Sequence, residues 1–219
     1  MLIRTLALGA TALLLPISAH AEAGRVIGDS IGVGVSWAAK IPSTAKNSVA
    51  IYSGAIMEQL SQAQKGETVF MSLGTNDAVG AALDVKARVS AIVAEADKLG
   101  VTLVWIGPPC VLKPWEESAK KLDAILASSL SSTSVHYVST QGPEFCDASV
   151  HAAEGVHFNM TGYTRIWRKA ATAVAFTGGG TAVAEATPSH PAKVRGHHRR
   201  RHHARQAQAT SPKPESTVQ

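Results

Sequence analysis

What this 219-residue chain lacks narrows its function before any motif is read. Beyond its first 21 residues it has no apolar run near the roughly 20 residues that a bilayer span needs. No Gly-Lys-Ser/Thr follows a glycine-rich loop, which excludes a P-loop, and Gly32-x-Gly34 lacks the third glycine of a dinucleotide fingerprint. Within the body no H-x-x-x-H or paired-carboxylate motif points to a catalytic metal, so neither metal nor other cofactor is expected. Cysteine occurs only as Cys110 and Cys146, without a C-x-x-C, so a redox dithiol and a zinc knuckle are both unsupported.

The first recognisable segment is a predicted export signal. Arg4 supplies a positive start, "LALGATALLLPISA" an apolar core, and Ala19-His20-Ala21 a small-x-small cleavage site. The core, at about 14 residues, is short for a membrane anchor. An exported protein, periplasmic or secreted, is therefore expected, with residues 1–21 removed. In an oxidising compartment Cys110 and Cys146 are most simply a disulfide closing a 37-residue loop, which would stabilise the fold by roughly 3 to 4 kcal/mol; two buried thiols are the alternative.

Charge is divided unevenly along the chain. Residues 22–192 carry 13 Lys/Arg against 15 Asp/Glu, whereas residues 193–219 carry 7 against 1. The basic pI thus belongs to the tail "KVRGHHRRRHHARQAQATSPKPESTVQ", whose composition predicts disorder and whose cations suit an anionic envelope polymer or membrane surface. No specific nucleic-acid partner is expected. His197, His198, His202 and His203 of that tail read as adventitious metal affinity. Glycines and small residues over 178–192 form a predicted linker, leaving 22–177 as the folded domain.

Within that domain, apolar runs of strand length alternate with helical patterns. "RVI" before Gly28, "SVAIY" (Ser48 to Tyr52), "TVFMSL" (Thr68 to Leu73), "VTLVWI" (Val101 to Ile106) and "SVHYV" (Ser134 to Val138) predict five strands. Helices are predicted within "AIMEQLSQAQ", "AALDVKARVSAIVAEADKLG", "WEESAKKLDAILASSL" and "TGYTRIWRKAATAVAF", the last with Thr161 as N-cap. Successive β-α units imply a three-layer α/β/α sandwich around a five-stranded parallel sheet. Ligands bind such sheets beyond the carboxyl ends of the strands. That edge gathers Gly28-Asp29-Ser30, Ser53-Gly54, "GTND" and the late pair Glu154 and His157.

Gly28, Ser30 and Gly32 also satisfy the G-x-S-x-G nucleophile elbow of α/β-hydrolases. That fold places several strands before its serine, and Ser30 leaves room for only one. The segments instead resemble the SGNH (GDSL-type) hydrolases: "GDSIGVG" fits the first block, Gly54 in "IYSGAIM" the second, "GTND" (Gly74 to Asp77) the third and "EGVHFNMTGY" (Glu154 to Tyr163) the last. All four stand in family order across nearly the whole domain. The resemblance implies a flavodoxin-like SGNH fold with Ser30 as nucleophile, His157 as base, and an oxyanion hole made by the N–H groups of Ser30 and Gly54 and the Asn76 amide.

Position 154 departs from the family pattern, which has aspartate three residues before the histidine. The added methylene of Glu154 displaces the carboxylate, so either the loop compensates or a Ser30-His157 dyad operates; Asp147 is the other nearby carboxylate. Alone, Asn76-Asp77 would read as an Asx turn, Asp29 as a turn acceptor, and His136 and His151 as structural histidines. "NMT" at Asn159 matches a glycosylation sequon but is already used by the last block. The expected function is an exported serine esterase acting on short acyl groups, such as O-acetyl, of carbohydrate or a related small ester. Two alternatives use the same chain: a noncatalytic module binding anionic envelope polymer, and an O-acyltransferase.

Overall fold

The computed structural model describes residues 22–80 and 84–178. The predicted signal segment 1–21, the tail 193–219 and all but the first residue of the linker lie outside the described residues. Four strands, β1 (Gly24–Gly28), β2 (Thr68–Ser72), β3 (Thr102–Pro109) and β4 (His136–Thr140), form one parallel sheet in the order β1-β2-β3-β4. Helices α1 (Ser30–Ala39), α2 (Gly54–Leu60), α3 (Thr75–Val79), α4 (Lys86–Leu99), α5 (Glu116–Leu130), α6 (Pro143–Cys146) and α7 (Met160–Ala173) lie between and after them.

Strand side chains alternate between faces, and the alternation sorts the core into two halves. Ile27, Val69, Met71, Leu103 and Trp105 point into the layer of α2, α4 and α5. Val26, Phe70, Val104, Ile106 and Val138 point into the layer of α1 and α7. Both faces of the sheet are thus covered, and β2 is buried along its whole length. This is the expected three-layer arrangement.

The fifth strand is not where the sequence placed it. "SVAIY" forms a turn: Ser48 takes φ 64°, Ser53 N–H donates to Ala50 O at 2.9 Å, and the Ile51 N–H is taken by the Asp77 carboxylate. Val49 and Ile51 are buried in the core half that also contains α2 and α4 residues, so their apolar character fills a loop rather than a ladder. The position beside β1 belongs to an earlier segment. Val26 N–H donates to Pro42 O at 2.9 Å, Thr44 N–H to Val26 O at 3.0 Å and Lys46 N–H to Gly28 O at 2.9 Å, but only Val26 and Ser43 form a parallel bridge. An edge position tolerates Pro42, which has no N–H to offer.

Helix α7 begins two residues earlier than a Thr161 cap would give, because Asn159 caps it. Its side-chain oxygen accepts from Thr161 N–H at 3.0 Å and Gly162 N–H at 3.2 Å, while its Nδ2 donates to Ser149 O at 2.7 Å. The sequon asparagine is therefore committed at both ends of its amide. Cys110, just past β3, and Cys146, at the end of α6, are joined by a disulfide.

Candidate active site

Ser30 owes its position to the sharp exit from β1. Gly28 takes φ +111°, and a Cβ there would overlap the Ser72 backbone of β2, so only glycine fits. Gln59 of α2 clamps the same residue from the other side, accepting from its N–H at 2.6 Å and donating to its carbonyl at 3.3 Å. Asp29 then N-caps α1: one carboxylate oxygen accepts from Ile31 N–H at 3.0 Å and Gly32 N–H at 3.4 Å, and from Ser72 Oγ at 2.9 Å. Asp29 is fully buried, and that burial pushes its carboxyl above the usual carboxylate range. It therefore acts as the turn acceptor, leaving Ser30 at the first position of the helix.

The loop before α7 delivers the partners of Ser30. Gly155 takes φ +71°, its N–H donates to Ala152 O at 2.9 Å, and Ala152 N–H donates to His157 O at 2.9 Å, closing a compact turn. Leu112 N–H, from the segment after β3, donates to Gly155 O at 2.7 Å. Within this frame His157 Nε2 lies 2.8 Å from Ser30 Oγ, and His157 Nδ1 lies 2.7 Å from Glu154 Oε1. The chain Glu154-His157-Ser30 is continuous.

Glu154 compensates for its extra methylene by turning one oxygen to two donors. Oε1 accepts from the His157 backbone N–H at 2.8 Å as well as facing the ring. Partial burial works against ionisation of this carboxyl, but the N–H groups of His157 and Glu154 and the imidazole outweigh it and hold it below the usual range. An ionised Glu154 is acceptor-only, so it assigns the proton to Nδ1 and leaves Nε2 free to accept from the serine hydroxyl. Asp147, the other carboxylate considered, caps Ser149 N–H at 2.8 Å instead. His151 is buried with its two ring nitrogens 3.0 Å from Asp147 O and 2.9 Å from Cys110 O, a structural position, and His136 is exposed on β4.

Gly54 and Asn76 stand on neighbouring segments outside that chain of contacts. Gly54 opens α2 behind Ser53, whose hydroxyl accepts from Ala55 N–H at 3.1 Å. Among the described residues, apart from its chain neighbours and the backbone of its own helix, no atom lies within 4 Å of the point a Gly54 side chain would start from, so this face of the glycine is open. Asn76, in the first turn of α3, uses Nδ2 to donate to Val49 O at 2.8 Å. Asp77 beside it is buried, which pushes its carboxyl up, and both its oxygens accept from Ile51 N–H at 3.1 and 3.0 Å. The "ND" pair is thus more than an isolated turn: it pins the segment leading to Gly54. Gln59 and Arg88 reach backbone atoms of Gly28 and of the 51–53 turn, roles that an isolated Gln or Arg does not signal in a sequence.

Among the described residues no cluster of three or more His, Cys, Asp or Glu could hold a metal ion. The arrangement offers a serine hydroxyl, an imidazole to take its proton and a carboxylate to stabilise the resulting cation.

No family model matches the chain, and no curated protein matches it in sequence. Solved structures do match the fold. A catalytic mutant of Axe2, an acetylxylan esterase from Geobacillus stearothermophilus, superposes with a TM-score of 0.56 at 16% identity, over 74% of this chain and 97% of that one. A protein described as a lipolytic member of the G-D-S-L family, from Desulfitobacterium hafniense DCB-2, gives 0.57 at 14% identity, over 69% and 99%. One assigned to the SGNH hydrolases, from Slackia heliotrinireducens, gives 0.53 at 14%, over 71% and 98%. The chain therefore has the SGNH hydrolase fold, with four sheet strands among its described residues.

Proposed function

We propose that the protein is a serine esterase that hydrolyses short-chain acyl esters, O-acetyl groups on carbohydrate among them, through an acyl-enzyme on Ser30. The single observation that carries this is the unbroken Glu154-His157-Ser30 relay, with links of 2.7 and 2.8 Å. In the forward step Ser30 Oγ attacks the ester carbonyl as His157 Nε2 takes its proton. The tetrahedral oxyanion is held by the N–H groups of Ser30 and Gly54 and by the free N–H of Asn76. The imidazolium returns the proton to the leaving alcohol, and a water activated by the same ring releases the acid.

The acetylxylan esterase activity of a protein sharing the fold supports an acetylated carbohydrate as substrate class. Export is part of the proposal; the signal-like residues 1–21 and the Cys110-Cys146 disulfide support it. The engaged carboxylate favours a catalyst over a binding module that has lost its acid. Turnover of p-nitrophenyl acetate by the purified protein tests the reading. Activity is expected, and Ser30→Ala should abolish it; activity untouched by that substitution would overturn the proposal.

A further inference from the structure

The turn ahead of Gly54 is held by side chains from distant segments. Asn76 fixes the Val49 carbonyl, Asp77 the Ile51 N–H, and the Ser53 N–H closes the turn onto Ala50 O. Arg88, from the first turn of α4, adds a fork. Its Nε donates to Ile51 O at 3.1 Å and its Nη2 to Ser53 O at 3.2 Å. The second contact bears on chemistry, because the Ser53 carbonyl and the Gly54 N–H belong to one peptide unit. The peptide is trans, so its carbonyl and N–H point in opposite directions. Whatever holds the Ser53 oxygen on one side aims the Gly54 N–H at the other.

The Ser53 cap sets that plane at the start of α2, and Arg88 adds a charged side-chain contact on its carbonyl while the side where a Gly54 Cβ would stand is open. A cation on the carbonyl also polarises the amide, and charge-assisted, mutually polarising bonds are stronger than neutral ones. We propose that Arg88 is a positioning residue for the oxyanion hole, setting both the direction and the donor strength of the Gly54 N–H without touching the substrate. This rests on the reading of Ser30 as nucleophile.

Arg88→Met keeps the aliphatic stem and removes the fork. Removing an oxyanion donor outright costs roughly 10²- to 10³-fold in kcat, so a misaimed donor should cost about 10- to 50-fold. KM for p-nitrophenyl acetate should stay within about twofold, because the donor bonds the transition state more than the ground state. Affinity for phenylboronic acid, which forms a tetrahedral adduct on the serine, should fall in parallel with kcat. Arg88→Lys should recover only part of the loss, because an ammonium cannot reproduce the planar fork. Circular dichroism and thermal unfolding report the folded fraction; should Arg88→Met fail to fold, Arg88→Gln serves the same test. A folded variant with wild-type kcat, or one whose kcat falls while boronate affinity does not, overturns the proposal. Ser30→Ala is run alongside: if it abolishes turnover while Arg88→Met leaves it intact, only the role of Arg88 fails, and if it leaves turnover intact, the esterase reading fails with it.

Discussion

Replacing Glu154 by glutamine removes one charge while conserving shape, and so weighs what the carboxylate adds to the relay. At 2.7 Å an ionised Glu154 attracts a protonated His157 by about 6 kcal/mol if the effective dielectric is near 20, and by about 1.5 kcal/mol in bulk water. The side chains are 40% and 46% exposed, which moves the value toward the lower bound. A glutamine oxygen would still accept from the ring, so a loss of about 1.5 to 3 kcal/mol is expected, or ~10- to 150-fold in kcat. The comparable change in serine proteases costs about 10⁴-fold because the amide favours the wrong tautomer. Here the His157 backbone N–H donates to the same oxygen that faces the ring, which keeps a glutamine carbonyl turned toward Nδ1. The assay is p-nitrophenyl acetate turnover per active site, with sites counted by a fluorophosphonate. A loss under about threefold would mean that the acid is idle and a dyad operates. A loss near 10⁴ would refute the tautomer argument.

Two further outcomes follow from the frame around the relay. Asp29→Asn should change how stability depends on pH: burial raises the native carboxyl pKa, so the native state holds a proton that the unfolded chain has released. Wild-type stability relative to this variant should therefore fall as pH rises from about 4, the unfolded value, and level off above the raised native one; urea unfolding across that range measures it, and a flat difference would contradict it. Removing the Cys110-Cys146 bridge by Cys→Ala substitution at both positions should cost roughly 3 to 4 kcal/mol in the same assay, and an unchanged midpoint would show that the closed loop contributes nothing.

Local features were legible in the sequence, and contacts with distant backbone were not. Gly28, Asp29 and Ser30 stand out in the sequence as a turn because a glycine, a capping aspartate and a serine follow one another directly at the end of β1. Glu154 and His157 could be paired from the sequence because their spacing of three lets one carboxylate reach both the backbone and the ring. "SVAIY" was misleading: a five-residue apolar run looks alike whether it joins a ladder or plugs a loop, and its Ser48 turn depends on Asp77, 26 residues beyond Ile51. The segment that borders β1, with Pro42, Ser43 and Thr44, has no apolar pattern to mark it. Helix α1 contains Gly32 and Gly34, poor helix formers; Gly34 is explained only once the Tyr163 ring of α7 is seen packed against it. Gln59 and Arg88 bond main-chain atoms 31 to 37 positions away, which no residue-type pattern records.

The half-exposed imidazole has a consequence for the fate of an acylated Ser30. No closing flap is needed to seat an ester carried on a long polymer, because the ring already stands at the protein surface. Water reaches that exposed ring without contacts of its own, whereas a dilute sugar hydroxyl needs docking contacts to compete for an acyl group. On the proposed esterase reading, openness of this kind favours cleavage over passing the acyl group on.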